Sequence, residues 1–127
     1  VSKAEQRKKV MTTVNAVRAE EYYKLIGEKN LEAIKKYLDS DVELHSPLAS
    51  LKGLEAVATA NSSFMNTFKS LSIRARFGSG DQAMIVYDVE IPGINKEFPG
   101  ASLLTFRNGL IVKIELFFDG SHFSKKN

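Results

Sequence analysis

"YLDSDVELHSPLASLKG", Tyr37 to Gly53, is the stretch in which the chain changes character. A helix-like run ends, and Asp41 to Ser46 then alternates as a strand does. Val42, Leu44 and Ser46 fall on one face, Glu43 and His45 on the other. Pro47 stops the strand, because it has no amide hydrogen to give to a sheet. From Gly53 to Phe68 the pattern is helical again, with Leu54, Val57, Ala58, Phe64, Met65 and Phe68 at helical intervals.

Upstream, the apolar residues Val10, Met11, Val14, Val17, Tyr22, Leu25 and Ile26 predict one long amphipathic helix from Ala4 to about Ile26, with a single broad apolar face. Gly27 suits its C-terminal end, and Asn30 suits the N-cap of a short helix, "LEAIKKYL". Downstream of Ser70 the period changes to two. "LSIRARF", "AMIVYDVEI", "ASLLTF" and "LIVKIELFF" read as strands. "GSGD" and "RNG" read as turns, and "PGINKEFPG" as a loop or irregular hairpin. Helices first and an antiparallel meander after them predict an α+β fold, with the helices covering one face of a curved sheet. No internal repeat or boundary interrupts residues 1–127, so we expect a single domain.

The composition, 43% hydrophobic and 26% charged, is that of an ordinary folded chain. No apolar run approaches the roughly 18 residues of a membrane span. Without Cys, and with only His45 and His122, the chain has too few soft ligands for an ordinary zinc site and no thiol nucleophile. We therefore expect neither metal nor cofactor. The net charge of +3 gathers in "KAEQRKK" and "SKKN" at the two ends, which reads as solvated tails and not as a nucleic-acid or membrane surface. No targeting segment is visible, and a cytoplasmic location is expected.

The order helix, helix, short strand, helix, antiparallel sheet resembles the nuclear transport factor 2-like superfamily, in its SnoaL-like and ketosteroid isomerase-like branch. "GEKNLEAIKKYLDSDVELHSP" resembles the segment in which a short helix leads into a strand ending at Pro. "LKGLEAV" resembles the start of the third helix, and "TFRNGLIVKIELFFD" the closing hairpin. The resemblance spans nearly the whole chain. It implies a cone-shaped, curved antiparallel sheet wrapped around the three helices, an α+β roll whose open end is a pocket.

Carried over residue by residue, the resemblance also implies a site. Ketosteroid isomerases place a carboxylate base just before the proline, where this chain has Ser46. Their oxyanion donors, a tyrosine on the first helix and a protonated acid on the penultimate strand, match Tyr22 and Ser102. A serine hydroxyl cannot abstract a carbon-bound proton as a carboxylate does, so steroid isomerisation by that mechanism is not expected. The candidate polar groups are then Asp88, Tyr22 and His45. Asp88 is read two ways. By hydrophobicity, Ala83, Ile85, Tyr87, Val89 and Ile91 face the core and Asp88 faces water. By the resemblance, Met84, Val86 and Asp88 line the pocket, and the other face meets a partner. Arg18, one turn before Tyr22, falls on the predicted apolar face, with Glu21 or Asp88 as its partner. The remaining pocket-lining set is Ile26, Leu44, Ser46, Phe64, Met65, Met84, Val86, Ser102, Leu104, Ile114, Leu116 and Phe118. That wall suits a hydrophobic small molecule, either bound or transformed by isomerase, cyclase or hydratase chemistry. The alternative is a non-catalytic module that uses a sheet face including Ile85, Tyr87, Val89 and Phe117, and a homodimer is the expected assembly.

Overall fold

The first helix, α1 (Lys3–Gly27), is started by Ser2. Its hydroxyl accepts from the Glu5 amide at 3.1 Å, while the Glu5 carboxylate accepts from the Ser2 amide at 3.2 Å. This reciprocal cap satisfies two amides that the helix leaves open. A computed structural model describes residues 2–94 and 96–119. In chain order α1 is followed by α2 (Leu31–Lys35), β1 (Leu38–His45), β2 (Ser50–Lys52), α3 (Leu54–Met65), β3 (Ser70–Ser79), β4 (Gln82–Glu90), β5 (Glu97–Arg107) and β6 (Leu110–Phe117). This is the expected α+β architecture, three helices against a curved, unclosed sheet. None of the described helices is long and apolar enough to cross a membrane. His122 lies outside the described residues.

The strand order is β2-β1-β6-β5-β4-β3. Every pairing is antiparallel except that of β1 with β6, which makes the sheet mixed. One row of the inner face crosses all six strands: Leu51, Leu44, Ile114, Leu104, Ala83 and Gly78 stand opposite one another in that order. The helices pack on this face, and the largest buried side chains, among them Tyr22, Phe68, Ile26, Ile34 and Ile85, fill the space between.

Four local readings change. Val10, Met11 and Val14 are exposed, and α1 instead buries Asn15, Ala16, Ala19, Tyr22, Tyr23 and Ile26. Small residues win because α1 lies close on the sheet: a Cβ at Gly78 would come within 2.9 Å of the Thr12 side chain. The second change is at the end of α1. Gly27 stays helical, and it is Lys29 that takes the left-handed conformation, with φ 61, which lets the Asn30 amide close back onto the Leu25 carbonyl at 3.0 Å. Third, α2 stops at Lys35, because β1 begins earlier than expected, at Leu38. Fourth, the stretch after Pro47 is no plain loop. It returns along β1 as β2, with His45 opposite Ser50.

Candidate functional site

At the end of the sheet formed by the C-terminal halves of β1, β4 and β6 and the start of β5, the core does not close. A cavity of about 270 Å³ remains between these strands and α3. Its wall is apolar: Leu44, Leu51, Phe64, Val89, Ile91, Phe98, Ile114, Leu116 and Phe118 line it, with Leu48 and Ala49 from the β1–β2 turn. Ser46 holds that turn. Its hydroxyl accepts from the Leu48 and Ala49 amides, both at 3.1 Å, and its own amide donates to the Ala49 carbonyl at 2.8 Å. The His-Ser-Pro sequence is therefore a device for reversing the chain at the cavity's edge.

Two tyrosines and an asparagine bring polar groups to the cavity, and a third tyrosine backs them. Tyr23 of α1 and Tyr87 of β4 both line it, and their rings stack with centroids 5.0 Å apart. The Tyr23 hydroxyl is hydrogen-bonded to Ser102 Oγ of β5, and the Tyr87 hydroxyl interacts with both. Gly100, directly opposite Tyr87, makes the arrangement possible: a Cβ there would meet the Tyr87 ring at 2.9 Å. One layer further in, Tyr22 is wholly buried and its hydroxyl accepts from Asn61 Nδ2 at 2.7 Å, while Asn61 itself lines the cavity. Tyr22 and Tyr23 meet edge to face at 5.4 Å.

Burial sets the electrostatics. It pushes the phenol of Tyr23 well above its ordinary value of 10.0, and the neighbouring tyrosines add to the shift. It raises Tyr22 too, against the opposing hydrogen bond from Asn61, and Tyr87, against those of Ser102 and Tyr23. All three are neutral at physiological pH. They can donate or accept hydrogen bonds, and they are poor bases. No Asp, Glu, His, Lys or Arg occurs among the described lining residues. No cluster of three or more His, Cys, Asp or Glu that could hold a metal ion occurs among the described residues.

The structure scatters the expected site residues. Leu44, Ser46, Phe64, Ile114, Leu116 and Phe118 stand on the cavity wall. Ile26, Met65 and Leu104 are buried in the core outside that wall, and Ser102 is buried behind it, reaching the cavity through Tyr23. Asp88, Met84 and Val86 lie on the other face of β4. Asp88 pairs there with Arg74 of β3 at 3.4 Å, because Ala83, Ile85, Tyr87 and Val89 are the residues packed under the helices. The hydrophobicity reading of this strand holds, and the resemblance reading is overturned. Arg18 meets neither Glu21 nor Asp88; its Nη1 donates to the Gly109 carbonyl at 3.1 Å, and Glu21 accepts from the Tyr37 hydroxyl instead.

His45 is turned away from the cavity. Its Nε2 lies 3.0 Å from Glu43 and its Nδ1 3.0 Å from Ser50. The hydrogen bond from His45 is the main reason the Glu43 carboxyl lies below its ordinary value. Tyr22, expected to face the cavity, is one layer behind it, and Tyr23 occupies the expected place. Tyr23, Tyr87 and Asn61 were missed. The signal for Tyr23 was the row Ala16, Ala19, Tyr23, Ile26, whose spacing of three and four marks a closely packed face.

A curved, unclosed sheet packed on three helices, with an apolar recess at one end backed by tyrosine hydroxyls, defines a cone-shaped α+β domain of the nuclear transport factor 2-like type. The chain belongs to the SnoaL-like domain family, which matches residues 19–114. A search of curated protein sequences finds no match. Among solved structures it is similar to a steroid delta-isomerase from Pseudomonas aeruginosa, at 20% identity and a TM-score of 0.72, over 84% of this chain and 80% of that one. It is similar to an NTF2-like protein of unknown function from Cytophaga hutchinsonii, at 19% identity and 0.72, over 85% and 92%. It is also similar to a de novo designed protein with a curved β-sheet, at 23% identity and 0.79, over 87% and 89%. At these identities the likeness speaks for the fold alone.

Proposed function

We propose that the protein binds a small, uncharged, largely apolar molecule carrying one hydrogen-bonding oxygen. The observation behind this reading is the cavity of about 270 Å³, whose wall is apolar and whose polar groups, Tyr23, Tyr87 and Asn61, are neutral. A charged ligand would leave water for a site without a described counter-charge, at a cost of several kcal/mol. An enclosed apolar space of about 150 Å³ holds benzene. The volume here therefore suits a body of about two rings, with any longer part projecting through the mouth.

Isomerase, cyclase or hydratase chemistry would need a base beside the ligand, and the described wall supplies none. The tyrosine hydroxyls can polarise a carbonyl by donating to it, which is a step toward catalysis and equally a means of recognition. Binding is therefore the primary reading. A panel of 1-tetralone, 2-naphthol and 2-naphthoate tests it by thermal shift. At a hundred times its dissociation constant a neutral ligand should stabilise by about 2.7 kcal/mol, and the carboxylate should not. Equal stabilisation by the carboxylate would overturn the reading.

A second reading, compatible with the first, is a homodimer on the outer face of the sheet. Ile85, Tyr87 and Val89, expected on that face, are buried against the helices. The outer rows are instead Phe77, Met84 and Leu103, and Ala75, Val86, Ala101 and Phe117. Phe77 is 61% and Phe117 50% exposed, which is unusual for two phenylalanines sharing one face. Light scattering should give twice the chain mass for the wild type and the chain mass for Phe77→Lys/Phe117→Lys.

A further inference from the structure

Of residues 2–14 only Thr12 is other than exposed, so the N-terminal half of α1 has almost no cover. Thr12 Oγ1 donates to the Gly80 carbonyl of the β3–β4 turn at 3.3 Å, and that turn is at the end of β4 away from Tyr87, Val89 and the cavity. What this half of the helix does is therefore independent of the function proposed for the cavity. Its side-chain hydrogen bonds to the rest of the helical layer start further along, where Tyr37 donates to Glu21 and Asn61 to Tyr22.

Lys3, Arg7, Val10, Val14 and Val17 follow one another at intervals of four and three, which stacks them in one strip along the helix. The buried row of Ala16, Ala19, Tyr23 and Ile26 lies on the opposite side, so the strip points away from the sheet. Val10 is 59% and Val14 37% exposed, Val17 is half-buried, and Met11, at 46%, widens the strip on one side. At 3.6 residues per turn these four side chains span about 120° of the circumference. That is broader than the seam a single partner helix fills, and it suits a continuous apolar phase.

Charge decides which phase. Residues 2–14 hold four cations, Lys3, Arg7, Lys8 and Lys9, and one acid, Glu5, whose carboxylate is used in the helix cap. No ion pair among the described residues uses any of the four cations. Expected in a solvated tail, they stand instead on a helix, with Lys3 and Arg7 in line with the valines and Lys9 at their flank. Their long stems can lie along an apolar layer while the charged heads stay at its polar boundary. Glu21, the next residue of the strip, ends it.

We propose that the N-terminal half of α1 docks on the surface of a membrane that carries anionic lipids. The helix lies in the interface without crossing it: Val10, Met11, Val14 and Val17 rest on the acyl boundary, and Lys3, Arg7 and Lys9 meet the lipid phosphates. Valine side chains reach only a short way, so the contact is shallow and reversible, and it needs the apolar strip and the cations together.

Co-sedimentation with lipid vesicles tests this. The protein should sediment with vesicles of three parts phosphatidylcholine to one part phosphatidylglycerol and stay in solution with phosphatidylcholine alone. Arg7→Gln/Lys9→Gln should weaken the binding roughly thirtyfold, the loss of two basic residues at an anionic surface. Val10→Gln/Val14→Gln should weaken it about tenfold at an unchanged melting temperature, because both side chains are exposed. The chain has no Trp, so Val10→Trp supplies a reporter whose emission should move to shorter wavelength with the anionic vesicles and not with the neutral ones. No sedimentation with the anionic vesicles, equal binding to phosphatidylcholine alone, or binding undiminished by Val10→Gln/Val14→Gln would overturn the proposal. Tighter binding to a DNA duplex than to the anionic vesicles would overturn it too, by assigning the same cations to nucleic acid.

Discussion

Ser102 is buried completely, and its hydroxyl is the hub of the tyrosine cluster. Ser102→Ala leaves the Tyr23 and Tyr87 hydroxyls to satisfy each other, and a buried group left short of a partner costs about 1–3 kcal/mol. The expected result is a clear drop in melting temperature, larger than that of Tyr23→Phe, which removes the needy group itself. Asp88→Asn is the contrast: it alters a pair on the outer face, with Asp88 19% and Arg74 54% exposed, and its effect on stability and on ligand-induced shifts should stay within about 0.5 kcal/mol. The tyrosines also make a pH prediction. Burial holds Tyr22, Tyr23 and Tyr87 above the ordinary phenol value of 10.0, so the native state keeps these protons more tightly than the unfolded chain does. That contribution is complete below about pH 10 and is lost as the pH rises from there through the native values. Absorbance at 295 nm should show the buried tyrosines ionising together with unfolding. A native protein with all its tyrosines titrating near pH 10 would refute the assignment.

Helix α1 divides into two halves with different neighbours. Its C-terminal half is held against the sheet by Ala16, Ala19, Tyr23 and Ile26, and its N-terminal half shows Val10, Met11 and Val14 to solvent. Ala19, with no exposed surface, has no room to grow. Ala19→Leu should cost about 1–3 kcal/mol through overpacking, while Val10→Gln and Val14→Gln should each change stability by less than about 0.5 kcal/mol. Denaturant midpoints at unchanged slope would separate the two outcomes. Reversal of the pattern would mean that the helix is rotated about its axis. The same rotation decides which tyrosine reaches the cavity, so this measurement of stability also reports on the site.

The whole molecule shares its fold with a steroid delta-isomerase and lacks what a carboxylate-based isomerase would need at the same place. Ser46 is spent on the β1–β2 turn, Ser102 on the tyrosine hydroxyls, and Asp88 of β4 faces away from the cavity toward Arg74. The expected outcome is no turnover of a Δ5-3-ketosteroid at any pH between 5 and 9, measured by appearance of the conjugated enone. Turnover that survives in Asp88→Asn and disappears in Tyr23→Phe would show that the tyrosine cluster alone suffices for the reaction.

Period and punctuation in the chain were enough for the α+β class and most of its elements. The change from a helical interval to alternation after Ser70, the Pro after Ser46 and the Gly-containing turns name the elements other than β2, and their order, because each follows from backbone geometry and local chemistry, whereas β2 and the parallel pairing of β1 with β6 appear only in the folded sheet. For β4 the alternation offered two inner faces, and packing under the helices selected Ala83, Ile85, Tyr87 and Val89. The orientation of α1 was not legible. Its apolar residues cover much of the wheel, and only the approach of the sheet at Gly78 selects the row of alanines. Nor could the chain alone have brought Tyr23, Tyr87 and Ser102 together, since they come from one helix and two strands up to 79 residues apart. Their hydroxyls become a site only when packing removes water from around them, and packing depends on all three elements at once.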